Sequence, residues 1–136
     1  MRTTVLACAA AAGVLLAGVP VLAHHAFSAE FDINRPVTLE GTIIRMDWIN
    51  PHAWIHLDVT EDDGSVSSWM IELGPPNSLI KRGWTRDSVP AGIRIKVDGY
   101  RAIDGALRAN GGDITLPDGS LLFAGGSSPD DPENGN

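Results

Sequence analysis

The stretch that decides the fold is Trp54-Ile55-His56-Leu57-Asp58-Val59-Thr60-Glu61-Asp62-Asp63-Gly64-Ser65-Val66-Ser67-Ser68-Trp69-Met70-Ile71-Glu72-Leu73. Its first part alternates apolar and polar residues, so a strand would turn Ile55, Leu57 and Val59 to a core and Trp54, His56 and Asp58 to the other side. Glu61-Asp62-Asp63-Gly64 is a hairpin turn, since Asp-Gly readily supplies the left-handed backbone that tight turns need. The chain returns from Val66 to Leu73, with Trp69, Ile71 and Leu73 on one face and Ser68, Met70 and Glu72 on the other.

Upstream, Val37 to Asp47 also alternates and reads as a long strand, with Gly41 marking a bend or bulge. Trp48-Ile49-Asn50-Pro51-His52 interrupts the pattern as a loop. Downstream, Gly74-Pro75-Pro76 ends the third strand, and Asn77 or Ser78 would cap a short helix that Gly83 terminates. Ile93, Ile95 and Val97 alternate in a fourth strand, and Asp104-Gly105 is a turn. Ile114-Thr115-Leu116 and Leu121-Leu122-Phe123 flank Pro117-Asp118-Gly119-Ser120, a second hairpin.

Three strands, a short helix, then two or three strands is the order of an OB-fold, with its helix between strands three and four. The expected class is therefore all-β with one short helix, a small OB-like Greek-key barrel of five to six strands. Another small barrel or a sandwich would share this element order.

The N-terminus has a different character. Arg2 precedes an apolar run from Val5 to Val19, and Val21-Leu22-Ala23 offers small or tolerated residues before a cleavage point. The run is short of the roughly 20 apolar residues of a membrane span. Residues 1–23 thus read as a signal peptide, 24–36 as an N-terminal arm, 37–124 as the barrel and 125–136 as a disordered tail. The expected location is the periplasm or the exterior, with no stable membrane insertion after cleavage. Too few apolar residues precede Cys8 for a lipoprotein site, so Cys8 leaves with the signal. The mature chain then has no disulfide and no thiolate ligand.

Removing 23 of 136 residues leaves 113, enough for one domain. Loss of Arg2 leaves 9 of the 10 basic side chains against 17 acidic ones, a formal charge of −8. That charge repels phosphate backbones and argues against nucleic acid as a partner. The partners expected instead are a small ligand or another periplasmic protein.

Five segments in combination, HHAFSAEFD from His24, PVTLEGTI from Pro36, WINPHAWIHLDV from Trp48, GPPNSLIKRGW from Gly74 and TLPDG from Thr115, resemble a family of small exported bacterial proteins known as a domain of unknown function. The resemblance runs from His24 to about Phe123 and implies an extracytoplasmic location and an OB-like fold. It implies no activity. Ala26-Phe27 stands where the family tends to have Ser-Phe.

Chemistry concentrates in the histidines. Cleavage after Ala23 would give His24 a free α-amine beside its imidazole, a chelating pair. With a second imidazole it makes a nitrogen set that suits Cu(II), as in the histidine brace of copper proteins. His25 offers amine, amide nitrogen and imidazole together. His52 and His56, if on one strand, would lie roughly 13 Å apart and could not share an ion. His24, His25, His52 and His56 are accordingly the candidate metal ligands, with copper the metal they point to. His56 has Trp54 and Asp58 on its face and Met70 and Glu72 on the adjacent strand; Met70 suits Cu(I), and Asp58 or Glu72 could orient an imidazole.

The plainer reading makes these solvated or loop-bonded histidines on an ordinary face. Trp48 and Trp54 divide evenly between a ligand platform and packing, whereas Trp69 and Trp84 read as packing. No nucleophile elbow, phosphate loop or catalytic carboxylate pair appears, so no catalytic residue is assigned. The function that follows is a non-enzymatic binding module, copper-binding through its mature N-terminus. The alternative is a metal-free ligand or protein-interaction domain using Trp54, His56 and Asp58.

Overall fold

The computed structural model describes residues 27–126. The signal segment, His24, His25 and tail residues 127–136 lie outside the described residues. Six strands form one sheet: β1 Phe31–Asp47, β2 Trp54–Thr60, β3 Val66–Glu72, β4 Arg94–Ala102, β5 Arg108–Thr115 and β6 Leu121–Phe123. A helix, α1, spans Pro76–Lys81 between β3 and β4. The sheet order is β3-β2-β1-β4-β5-β6, and a parallel β3–β5 pairing joins its ends. The ring β1-β2-β3-β5-β4 is the OB-like closure expected of three strands, a helix and two strands.

Alternation in the sequence becomes inside and outside of this ring. Ile55, Leu57, Ile71, Leu73, Ile95, Val97 and Ile114 are buried in one cluster with Leu39 and Ile43. Leu79 of α1 and Trp84 join the same cluster, so the helix and the residue after its terminator, Gly83 (φ 92°), seal the barrel. Trp84 Nε1 donates to the Phe123 carbonyl at 3.0 Å, which satisfies its one polar atom. Trp69 is buried too, with the Arg101 guanidinium 4.9 Å from its ring centre.

Four expectations change. The helix is capped by neither Asn77 nor Ser78: it starts at Pro76, whose fixed φ and missing N–H suit the first helical position. β1 starts at Phe31, inside the stretch read as an arm, because Phe31 packs with Phe27, Ala102 and Tyr100 in a second small core. β5 starts at Arg108, six residues before the Ile114 read from the sequence. Gly41 marks no bulge; a Cβ there would lie 2.4 Å from the Asp58 carbonyl oxygen, so glycine is required by close strand approach.

The bulge in β1 falls at Ile44 instead. Pairing with β2 runs Ile43↔Leu57 and then Arg45↔His56, leaving Ile44 as the extra, exposed residue. One extra residue reverses the facing of everything after it. Met46 turns inward opposite Ile55, while Arg45 and Asp47 turn outward opposite His56 and Trp54.

At the other end, Gly125 and Gly126 are the first residues of the segment read as a disordered tail. Gly125 is buried, and Gly74 N–H donates to the Ala124 carbonyl at 3.0 Å.

Candidate functional site

The outer face of β2 and β3 carries the residues singled out from the sequence. Trp54, His56 and Asp58 stand opposite Glu72, Met70 and Ser68 in the register, as the hairpin reading requires. Asp58 accepts from Ser68 Oγ at 2.7 Å and so is spent within the sheet. Trp54 is half-buried between Asp47 on β1 and Glu72 on β3, its cross-strand neighbours. Trp48 packs on the core, with the Arg86 guanidinium 5.6 Å from its ring centre.

His56 is held by a group that the alternation pattern hides. Its Nε2 lies 2.8 Å from Asp47 Oδ2, and Arg45 Nε donates to Asp47 Oδ1 at 3.2 Å. Hydrogen bonds from His56 and then Arg45 hold the Asp47 carboxyl below its ordinary value. An ionised Asp47 accepts the Nε2–H of His56. Arg45 Nη2, 3.0 Å from that nitrogen, is then a neighbouring cation rather than a second bond. Asp47, and neither Asp58 nor Glu72, orients this ring.

His52 sits just before β2 and bonds elsewhere. Its Nδ1 is 3.2 Å from the Leu73 carbonyl oxygen and 3.6 Å from Glu72 Oε1. A carbonyl oxygen only accepts, so Nδ1 carries a proton, and in the neutral ring the lone pair is then on Nε2. The side chain is 32% exposed.

Behind His52, Glu72 is buried, with only 7% of its side chain exposed. Asn110 Nδ2 donates to Glu72 Oε1 at 3.3 Å, while Asn110 Oδ1 is buried without a donor. Burial raises the Glu72 carboxyl above its ordinary value, and the Glu30 carboxylate adds to this; His52, Asn110 and Arg108 oppose it. Arg108 ties the N-terminal stretch to this corner by pairing with Glu30 at 3.5 Å and Asp104 at 3.0 Å.

A carboxyl whose folded value is raised stabilises the protein most below its unfolded value and loses that contribution as pH climbs through the folded one. Glu72→Gln keeps the shape and removes the titration. The melting temperature of the parent should therefore fall relative to Glu72→Gln as pH rises from about 4 towards 7, as scanning calorimetry across that range would show. A parent that gains on the variant over the same range would contradict the burial argument.

Of the four histidines, the structure describes His52 and His56. His24 and His25 lie outside the described residues, and His52 and His56 bond to different groups without a common partner. Among the described residues, no three His, Cys, Asp or Glu side chains gather as a metal site. No helix among them is long and apolar enough to cross a membrane. Arg45, Asp47, Asn110, Glu30 and Arg108 are the site neighbours that sequence reasoning missed. For Asp47 and Arg45 a signal existed: Ile43, Ile44 and Met46 break the strict alternation, and a phase break marks a bulge.

No curated protein and no solved structure matches the chain. A family profile does match, over residues 11–111, from within the apolar N-terminal run through most of the barrel. The chain belongs to that family, described as a family of unknown function, DUF6152.

Proposed function

We propose that this protein is an exported, non-enzymatic binding module that takes copper at its mature N-terminus, with His52 supplying the second imidazole. The observation that carries the reading is the bond of the part-exposed His52 ring: Nδ1–H is committed to the Leu73 carbonyl, so in the neutral ring Nε2 is the nitrogen that can take a metal. A backbone acceptor on one ring nitrogen is the usual way a metal-binding imidazole is oriented.

Electrostatics favours His52 over His56. The Glu72 carboxyl lies beside His52 and attracts a cation, whereas the Arg45 guanidinium lies 3.0 Å from His56 and repels one. The tether supports the same choice. Phe27 and Phe31 are buried, and Glu30 is near enough to Glu72 to act on its ionisation. His24 is three residues from Phe27, a span of at most about 11 Å of extended chain.

The metal-free alternative keeps one supporting observation. Asp47 fixes His56 and Ser68 fixes Asp58 around half-buried Trp54, which gives a preset polar and aromatic face on β2. A mature protein that takes up no copper would leave that face as the binding surface.

Copper titration by calorimetry, on protein beginning at His24, tests the choice of ligand. His52→Ala should weaken binding at least about tenfold, equivalent to roughly 1.4 kcal/mol. His56→Ala should leave it within about twofold, given that tenfold scale. The opposite pattern would overturn the assignment.

A further inference from the structure

A second place on the barrel has the features of a small-molecule site. On the outer face of β1, β4 and β5 lies a groove of about 250 Å³. It shares no residue with the His52 and Glu72 corner. Its origin is a pair of interrupted ladders. The β4–β5 register shifts between Val97 and Gly99, and the β1–β4 register shifts between Phe31 and Pro36. Between them Gly99 and Gly112 carry no side chains, so the floor is bare backbone.

The rim supplies the chemistry. Tyr100 and Phe123 line the groove and give it aromatic surface. Tyr100 is braced edge-on by Phe27 at 5.7 Å, and Phe123 has the Arg82 guanidinium 4.9 Å from its ring centre. Asp98 is already engaged, accepting from Thr38 Oγ1 at 2.5 Å and pairing with Lys96 at 3.4 Å. Asp113 also lines the groove, and among the described residues it meets no cationic side chain. An ionised carboxylate is acceptor-only, and an aromatic face attracts cations.

We propose that this groove binds a small organic cation, a primary amine on a flat apolar body, with Asp113 receiving the ammonium and Tyr100 and Phe123 receiving the body. The volume falls below the roughly 300–1,000 Å³ of drug-sized pockets, so the guest is small. Lys96 is paired with Asp98 and the Arg82 guanidinium lies over Phe123, which leaves Asp113 as the rim charge without an ion pair among the described residues and sets it to receive a cation.

Phenethylamine and phenylacetate are a matched pair of probes, one body with opposite charges. Titrated into ¹⁵N-labelled mature protein, phenethylamine should give saturable shifts of the Gly99, Gly112 and Asp113 amides, and phenylacetate should give none there. Asp113→Asn, at an exposed position, should weaken the amine about tenfold, the size expected for one charge-assisted hydrogen bond. Equal response to both probes, shifts centred elsewhere, no saturable shift, or an Asp113→Asn protein that binds as well as the parent would each overturn the proposal. Copper binding enters none of these readouts.

Discussion

Gly99→Ala is expected to cost this barrel most of its stability, lowering the melting temperature by about 15 °C or more. A Cβ at Gly99 would stand 2.1 Å from the Asn110 carbonyl oxygen and 3.1 Å from its carbon. Both are backbone atoms of the paired strand, so no side chain can swing aside. Relief requires β4 and β5 to part where Gly99 faces Gly111 and Tyr100 faces Asn110. Overpacking of this kind costs about 1–3 kcal/mol in ordinary cores and more where the backbone itself must move. A domain of this size has only about 5–15 kcal/mol in total, and each kcal/mol is worth roughly 4–8 °C. Gly105→Ala is the control: its φ of 79° strains an alanine, but nothing lies within 4 Å of the new Cβ. Left-handed strain alone costs roughly 1–2 kcal/mol, so that variant should stay folded and melt several degrees lower. Thermal melts of the two, followed by far-UV circular dichroism, separate crowding from strain. A Gly99→Ala protein that melts within a few degrees of the parent would show that β4 and β5 do not approach as closely as described.

Much of this barrel is legible in the residues themselves. The β2–β3 hairpin follows from strict alternation on both sides of Asp63-Gly64, and its register pairs His56 with Met70 and Trp54 with Glu72. The position of the helix between β3 and β4 then selects a closed ring. Legibility fails where long-range packing overrides local pattern. Arg108 to Asp113 includes Asn110, Gly111 and Gly112, which are poor strand formers, yet β5 runs through them because it is paired on both sides, to β3 and β4. Phe31 to Arg35 lacks a period of two, and Phe31 joins β1 through its contact with Phe27.

The candidate site shows the same division. Period-two reading places Glu72 on the outer face, and it is there. Its burial comes from the approach of Asn110 and the N-terminal stretch, which alternation does not register. His52 reads as a loop residue, and its value lies in a bond to Leu73 O, 21 residues away. Asp47 would point inward in an unbroken strand; the bulge at Ile44 turns it out to His56. Residue identity is thus enough to single out the histidines, and the rings of His52 and His56 are oriented by Leu73 and Asp47, partners 21 and 9 residues away.

The largest functional effect is expected at the terminus itself. In the copper reading, His24 contributes two of the three nitrogen donors, its α-amine and its imidazole, and cleavage creates the first of them. Acetylating the His24 amine turns it into an amide, a poor ligand until it is deprotonated, and adds no new amine to the chain. Loss of the amine opens the chelate ring at His24, which should weaken binding by at least about a hundredfold, near 2.8 kcal/mol. The His24 and His52 imidazoles stay in place, so a weaker imidazole-only site should remain.

The direct test is copper titration, by calorimetry and by electron paramagnetic resonance, of protein starting at His24 with its amine free beside the same protein acetylated at that amine. The account predicts a single tight site with a nitrogen-rich tetragonal signal in the first and at least about a hundredfold weaker binding in the second. Equal affinity and the same signal in both would contradict it.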